Sequence, residues 1–322
     1  MVTIDQLLSA IPHALDSIML DGVGDKISGK VRDSYAIGDK RILITTDRVS
    51  AFDRVLGLIP YKGQVLNQLS LWWFEQTRDI VANHVIASPD VNVTVAREAQ
   101  PIPIEVVVRG YLTGVTSTSM WTMYANGERT PYGITLPDGM KKNDRLPNAV
   151  ITPTTKAADG GHDERLTRDE IIQKQIVPPK LWGQIEQVAL AIFARGQQLA
   201  EKAGLILVDT KYEFGTIDGE LVLIDEIHTP DSSRYWIKAS YDQNPNQPEH
   251  FDKEYLRLWF AERGYKGEGV PPVMPSDFIA QVAHRYIRAY EQLTGRDFVM
   301  GEMSIAERIQ KNMKAYLGGS QG

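Results

Sequence analysis

Apolar residues recur at Ile4, Leu7, Leu8, Ile11, Leu15 and Ile18, close to the helical period, and predict a short amphipathic helix within residues 3 to 20. The pattern then changes. GVGDKISGKVRDSYAIGDKRILITTDRV reads as two or three strands with glycine turns, with Ile42, Leu43 and Ile44 as a strand core and IGDK as a hairpin turn. Val65, Leu69, Trp72, Trp73, Glu75 and Ile80 line a second helix, in which LWWF reads as core packing. VNVTVAREAQPIPIEVVVRGYLTG gives two β-rich runs around a proline-broken bend, the second holding Val106, Val107 and Val108.

Residues 115 to 165 are loop-rich, and loops of that length in a compact domain tend to be functional or disordered. Two helices follow. One starts in RLTRDEI, where Thr167 and Glu170 have capping-box spacing. The other runs from about 179 to 203 with Leu181, Ile185, Val188, Ala189, Ile192, Phe193 and Leu199 on one face. GLILVDTKYEFGTIDGELVLIDE is a hairpin turning at Asp218-Gly219. From about 250 the chain is helical again, in KEYLRLWFAERG and SDFIAQVAHRYIRAYEQLTG, and the tail LGGSQG reads as frayed.

A chain of 322 residues suits two domains, or one large domain with an appendage. The net charge of −6 argues against a sequence-independent grip on nucleic acid, while local Lys and Arg can still hold an anionic small substrate. With no cysteine, disulfides, thiolate metal sites and cysteine nucleophiles are excluded. The first twenty residues carry acids and lack a basic region followed by an apolar stretch, so no signal peptide is read, and no apolar run is long enough to span a bilayer. The expected location is cytoplasmic.

Three constellations carry candidate chemistry. In the 205 to 226 hairpin, Asp209, Lys211 and Glu213 share one face of a strand, and the partner strand ends at Asp225 and Glu226. A strict two-residue turn at Asp218-Gly219 pairs Glu213 with Ile224 and puts Asp225 on the opposite face; a one-residue bulge near Gly215 would return both acids to one face. Two carboxylates that close repel unless a proton or cation sits between them, and oxygen-only ligands favour Mg²⁺ or Mn²⁺ over Zn²⁺. A solvated strand face with ion pairs is the plainer alternative. SGKVRDSY, Ser28 to Tyr35, can lay backbone N–H groups and two cations on phosphates, or be a turn with exposed cations; it is not a Walker A sequence. Arg109, before a glycine, and Arg234, after PDSS, can each clamp a carboxylate or phosphate bidentately. GGHDE, with His162, Asp163 and Glu164, reads as a polar loop, and TTDRVSAFDRV offers Ser50 and Asp53 with no histidine nearby in sequence.

SGKVRDSY, TTDRVSAFD, IEVVVRGYLTG, LVDTKYEFG and DEIHTPDSSRYW, in this order, resemble the phosphoribosylaminoimidazole-succinocarboxamide synthase (SAICAR synthetase) family over about residue 25 to beyond 300. The resemblance implies an α+β fold related to ATP-grasp and kinase-like nucleotide sites. It comprises a small antiparallel N-terminal β domain (1–113), a larger α+β domain (114–249) and a C-terminal helical segment (250–322) packing on the core, with ATP between the domains. It implies an ATP-dependent ligase of de novo purine synthesis that joins carboxyaminoimidazole ribonucleotide to L-aspartate, releasing ADP and phosphate, with Mg²⁺. Other ATP-dependent carboxylate–amine ligases, kinase-like phosphotransferases and a non-catalytic nucleotide-binding module are the rival readings.

Carried over by position, Gly29, Lys30, Val31 and Arg32 match the loop over the ATP phosphates, and Lys211 a phosphate-contacting lysine. Pro101 to Val107, including Ile102 and Glu105, match the hinge against which adenine lies; Glu213 and Asp225 match the magnesium carboxylates. Arg109, Ser233 and Arg234 match residues that hold the imidazole ribonucleotide, and Ser117 or Ser119, in the lengthened TGVTSTSMW, takes a substrate-serine role. Lys211 and Arg234 are the expected catalytic pair.

Overall fold

The computed structural model describes residues 2–115, 119–156, 164–302 and 304–319. The chain divides into two compact units: Met1–Trp72, His84–Glu98 and Phe251–Gly322 form the first, and Trp73–Asn83 with Ala99–His250 the second. The break expected at 113/114 falls instead at 98/99, because the strand Ile104–Tyr111 pairs with Leu205–Ile217 inside the second unit. The segment after 250 is likewise part of the first unit and not a separate body.

The first unit is built on a five-stranded antiparallel sheet whose strands run, side by side, Lys26–Ser28, Arg32–Ile37, Lys40–Thr45, Val93–Arg97 and Val85–Asp90. The expected IGDK turn is a two-residue turn between Ile37 and Lys40, with Gly38 at φ 57°, a conformation open to glycine at little cost. Tyr35, Ile42, Ile44, Val93 and Val95 from the sheet pack with Ile305, Ile309 and Met313. Burying each such aliphatic side chain stabilises the unit by roughly 1.5–3 kcal/mol. Those last three residues lie on a helix, Ile305–Gly319, that the two C-terminal helices read from sequence did not include.

The N-terminal helix is shorter than its periodicity suggests. A Thr3/Gln6 capping box starts it, and it ends at Ala10, followed by a single 3₁₀ turn through Pro12. Leu15, Ile18 and Leu20 still enter the core, on irregular backbone. Their N–H groups donate to Asp47 Oδ2 (2.8 Å), Asp33 Oδ2 (3.1 Å) and Tyr35 Oη (2.9 Å), so buried side chains replace the helical ladder. Burial pushes the Asp47 carboxyl up to about 6, against the N–H groups of Leu15 and Gly63 and the charges of Lys62 and Arg308, which pull it down.

The second unit carries a seven-stranded antiparallel sheet. Its spine is the long strand Leu205–Ile217, flanked by Ile104–Tyr111 on one side and Ser233–Ile237 and Glu220–Ile224 along the other. Helix Pro179–Lys202 covers one face, burying Ile185, Ala189, Ile192 and Phe193, as the 3.6-residue pattern requires. Helix Arg168–Gln173 begins at the expected Thr167/Glu170 capping box. Two glycines permit the close approach of helix to sheet and loop. A Cβ on Gly110 would lie 2.7 Å from Gln197 Nε2, and one on Gly196 would lie 2.3 Å from His228 Cε1. Among the described residues, no helix is long and apolar enough to cross a membrane.

Candidate functional site

Register places the site chemistry. Asp209 pairs with both Arg109 and Arg234, and Lys211 pairs with Val107. Side chains alternate across a strand, so Asp209, Lys211 and Glu213 share a face with Glu105 and Arg109, while Thr210, Tyr212, Val106 and Val108 turn to the other face. Two charged groupings result.

In the first, Lys211 Nζ lies 2.6 Å from Glu105 Oε1 and 2.9 Å from Glu213 Oε1, and Lys156 Nζ lies 2.6 Å from Glu213 Oε2. Two acids thus alternate with two lysines in a row. Burial alone would raise the Glu213 pKa, but Lys211 and Lys156 outweigh it and hold the carboxyl down at about 2. Burial likewise would lower Lys211; Glu213 and Glu105 outweigh it, and its pKa is raised. Both stay charged at neutral pH.

In the second grouping, Asp209 Oδ2 accepts from Arg109 Nη1 (3.2 Å) and Arg234 Nη1 (2.9 Å), and Arg109 Nε donates to Thr152 Oγ1 (2.9 Å). Two guanidiniums share one carboxylate oxygen. The side chains of Arg109, Asp209 and Arg234 are only 11%, 11% and 19% exposed, so solvent screens these charges weakly. An arginine pair poised in this way suits a phosphate or carboxylate ligand.

Several expected residues are not brought to these groupings. Ser233 pairs with Thr210 on the other face, and the two hydroxyls lie 2.7 Å apart, so Ser233 does not stand beside Arg234's guanidinium. Ser119 is buried and its hydroxyl caps helix Met120–Ala125, accepting from Thr122 N–H. Ser117 lies outside the described residues, as do His162 and Asp163. The HTPDSSR loop is bound to itself, with Thr229 N–H donating to Ser232 Oγ and Thr229 Oγ1 donating to Glu226 Oε2. Ser232 therefore faces Thr229.

The expected bulge near Gly215 is absent from the hairpin ladder, whose register runs unbroken from Glu213↔Ile224 to Ile217↔Glu220. Gly215 serves another purpose: a Cβ there would come within 3.0 Å of the Gln100 carbonyl and 3.1 Å of Ala99 Cβ, so it lets the edge strand Gln100–Pro101 approach. The irregularity in the long strand falls between Leu207 and Asp209, opposite Ser233–Ile237. Asp225 sits one residue past the ladder with φ 64°. The strand's alternation ends before it, and the left-handed backbone sets its direction.

Among the described residues, no group of three or more His, Asp or Glu side chains is arranged to hold a metal ion. A cation that keeps several waters and takes one or two carboxylates plus phosphate oxygens needs no such cage. Glu213 suits that role: it is ionised, and Lys156, one of its two partners, is 47% exposed. The oxygen donors of Glu213 and Asp225 fit Mg²⁺ chemically.

In the first unit, Gly29–Arg32 form the tip of the hairpin between Lys26–Ser28 and Arg32–Ile37, where Gly29 N–H donates to the Arg32 carbonyl (2.8 Å). Lys30 Nζ reaches Asp53 Oδ1 at 2.6 Å, with both side chains well exposed. Ile102 is buried in the second unit, with its N–H on the Phe214 carbonyl.

Thr152 and Lys156 were not singled out by sequence reasoning, and Asp209 was noted on the strand face without a role of its own. The alternating charges of LVDTKYEF carried a signal for Asp209, but its two arginine partners lie 100 and 25 residues away in sequence. Lys156 and Thr152 sit in a stretch that reads only as loop.

Comparison with known proteins identifies the family. Residues 25–272 match the family model for SAICAR synthetase. The phosphoribosylaminoimidazole-succinocarboxamide synthase of Legionella pneumophila (strain Paris) is 50% identical over 303 residues, covering 92% of this chain and 96% of the relative. The chloroplastic enzyme of that name from Arabidopsis thaliana is 50% identical over 299 residues, covering 90% of this chain and 72% of the relative. The solved SAICAR synthase of Saccharomyces cerevisiae, complexed with SAICAR, superposes with a TM-score of 0.79 at 30% identity, covering 89% of this chain and all of that one. Fold and matches together define an enzyme of the ligase class. The chain belongs to the SAICAR synthetase family.

Proposed function

We propose that this chain, an ATP-dependent ligase of purine biosynthesis, condenses carboxyaminoimidazole ribonucleotide with L-aspartate through an acyl phosphate held on the charged face of the second unit's sheet. The observation that carries the site assignment is the meeting, on one sheet face, of an arginine pair sharing one carboxylate and a row of carboxylates and lysines. One set suits an anionic substrate; the other suits a phosphate chain and its cation.

A carboxylate is a poor acyl donor because its leaving group would be oxide. Its oxygen attacks the γ-phosphorus of ATP, the bond to the β-bridging oxygen breaks, and ADP leaves. The aspartate amine then attacks the carbonyl carbon, phosphate departs with the electron pair of the C–O bond, and the nitrogen loses a proton. Such steps need positioning and charge neutralisation more than covalent help. Lys211, kept protonated by Glu105 and Glu213, supplies a fixed cation for the phosphates. Arg109 and Arg234 orient the ribonucleotide. By the family resemblance, Gly29–Arg32 in the first unit suit ATP phosphates, and in the second unit the segment with Ile102 and Glu105 suits adenine. Mg²⁺, when bound through Glu213 and Asp225, supplies charge neutralisation at the phosphates.

ATP and a phosphorylated ribonucleotide do not cross membranes unaided, and a cytoplasmic site of action belongs to the same proposal. The test is a coupled ADP-release assay with the imidazole ribonucleotide, ATP, Mg²⁺ and aspartate, each omitted in turn. The proposal expects ADP only with all four. ADP with glutamate or glycine in place of aspartate would indicate another ligase, a stable phosphoester product a kinase, and binding without ADP release a non-catalytic module.

A further inference from the structure

The hairpin tip Gly29–Arg32 is stripped of outward-facing carbonyls by two residues of the TTDR run. Arg48 lies beneath it, 7% exposed. Its Nη2 donates to the Gly29 carbonyl (3.1 Å) and its Nε to the Lys30 carbonyl (3.2 Å). The same guanidinium binds Asp33 Oδ1 (2.9 Å) and the Asp16 carbonyl. Thr46 captures the next carbonyl twice, donating to Val31 from its N–H (3.0 Å) and from its Oγ1 (2.9 Å). Gly29 N–H takes the carbonyl of Arg32.

The peptide units here are trans, so each N–H points opposite to the carbonyl of its own unit. Holding the carbonyls of Gly29 and Lys30 inward turns the N–H groups of Lys30 and Val31 outward. Neither N–H has an acceptor among the described residues. Successive outward N–H groups form an anion cup, whereas a carbonyl rotated into the same space would repel a phosphate.

We infer that Arg48 and Thr46 are positioning residues that create this cup, fixing the tip so that the N–H groups of Lys30 and Val31 receive phosphate oxygens of the nucleotide. The inference rests on the reading of Gly29–Arg32 as a phosphate loop and adds the residues that give the loop its polarity. Lysine cannot substitute for Arg48. The guanidinium spreads donors from three nitrogens in a fixed plane over three carbonyls and a carboxylate, whereas an ammonium is a single point.

The test separates phosphate recognition from general damage by measuring the affinities of ADP and of adenosine, which lacks phosphates, for the full chain by calorimetry or competition. Thr46→Val and Arg48→Lys should each weaken ADP by about tenfold, the scale of one lost bond to a charged group, and leave adenosine within about twofold. Thr46→Ser, which keeps the hydroxyl donor, should behave as the parent does. Lys30→Pro, which deletes one of the two N–H groups, is the control for the underlying reading. If it leaves ADP unchanged, the tip does not meet phosphates and both ideas fall. If Lys30→Pro weakens ADP while Thr46→Val and Arg48→Lys do not, or if those two weaken ADP and adenosine alike, the phosphate-loop reading stands and the positioning role is wrong. Should Arg48→Lys fail to fold, the Thr46→Val and Thr46→Ser pair decides alone.

Discussion

Replacing Asp209 with asparagine removes one charge and almost no volume from the centre of the arginine pair. Asp209 Oδ2 accepts from Arg234 at 2.9 Å and from Arg109 at 3.2 Å, with all three side chains less than one-fifth exposed. A charge-assisted hydrogen bond contributes about 1.5–3 kcal/mol, and an amide oxygen still accepts, so roughly half of each bond is lost. The two halves sum to about 1.5–3 kcal/mol, below the roughly 3–5 kcal/mol for breaking a fully buried pair. Urea unfolding should show the loss as a lower midpoint at unchanged slope. Ligand then discriminates between a structural pair and a substrate clamp. A phosphate seated on the arginines restores the missing anion, so the imidazole ribonucleotide should stabilise Asp209→Asn more than it stabilises the parent. Equal stabilisation of both proteins, or a variant as stable as the parent without ligand, would refute the reasoning.

Asp225→Asn should cut turnover at limiting Mg²⁺ while leaving the unfolding midpoint near the parent's; unchanged turnover under those conditions would remove Asp225 from the metal. Gly196→Ala drives a Cβ to 2.3 Å from His228 Cε1 and 2.7 Å from Leu207 Cδ2 and should cost about 1–3 kcal/mol, read from the urea midpoint. The pH profile carries two opposed signs. The Glu213 pKa falls from 4.5 to about 2 on folding, so its contribution is complete above pH 4.5 and fades as pH drops toward 2. The Asp47 pKa rises from 3.8 to about 6, so its contribution is complete below pH 3.8 and fades as pH climbs through 6. Glu213→Gln should flatten stability loss between pH 4.5 and 2, and Asp47→Asn the decline between pH 4 and 6; urea midpoints across pH, unchanged in slope from the parent, would contradict either assignment.

What was legible in the sequence was local. The Asp218-Gly219 turn fixes which residues of the hairpin face each other, and the Thr167/Glu170 box marks a helix start by its own hydrogen bonds. The N-terminal helix was overread because Leu15 and Ile18 are buried for reasons that the helical period does not encode: Asp47 and Asp33, far along the chain, supply acceptors for their N–H groups. The strict Asp218-Gly219 register holds without the bulge offered near Gly215, because Gly215 answers to the backbone of Gln100, a neighbour that no local pattern reveals. Arg109 and Arg234 were visible as charges, yet Asp209 as their shared partner required the register of three strands.

The packing of Ile305, Ile309 and Met313 against Tyr35, Ile42 and Val93 has a consequence for biosynthesis. A ribosome delivers the strands of residues 26–45 long before the helix Ile305–Gly319 that must cover them. The middle portion, Ala99–His250, is complete while the opening strands still wait for their cover. Until that helix is made, only Leu15, Ile18, Leu20 and Val23 cover those strands, and part of their apolar surface stays open to aggregation. A protein shortened before residue 305 should be made in full but recovered as aggregate.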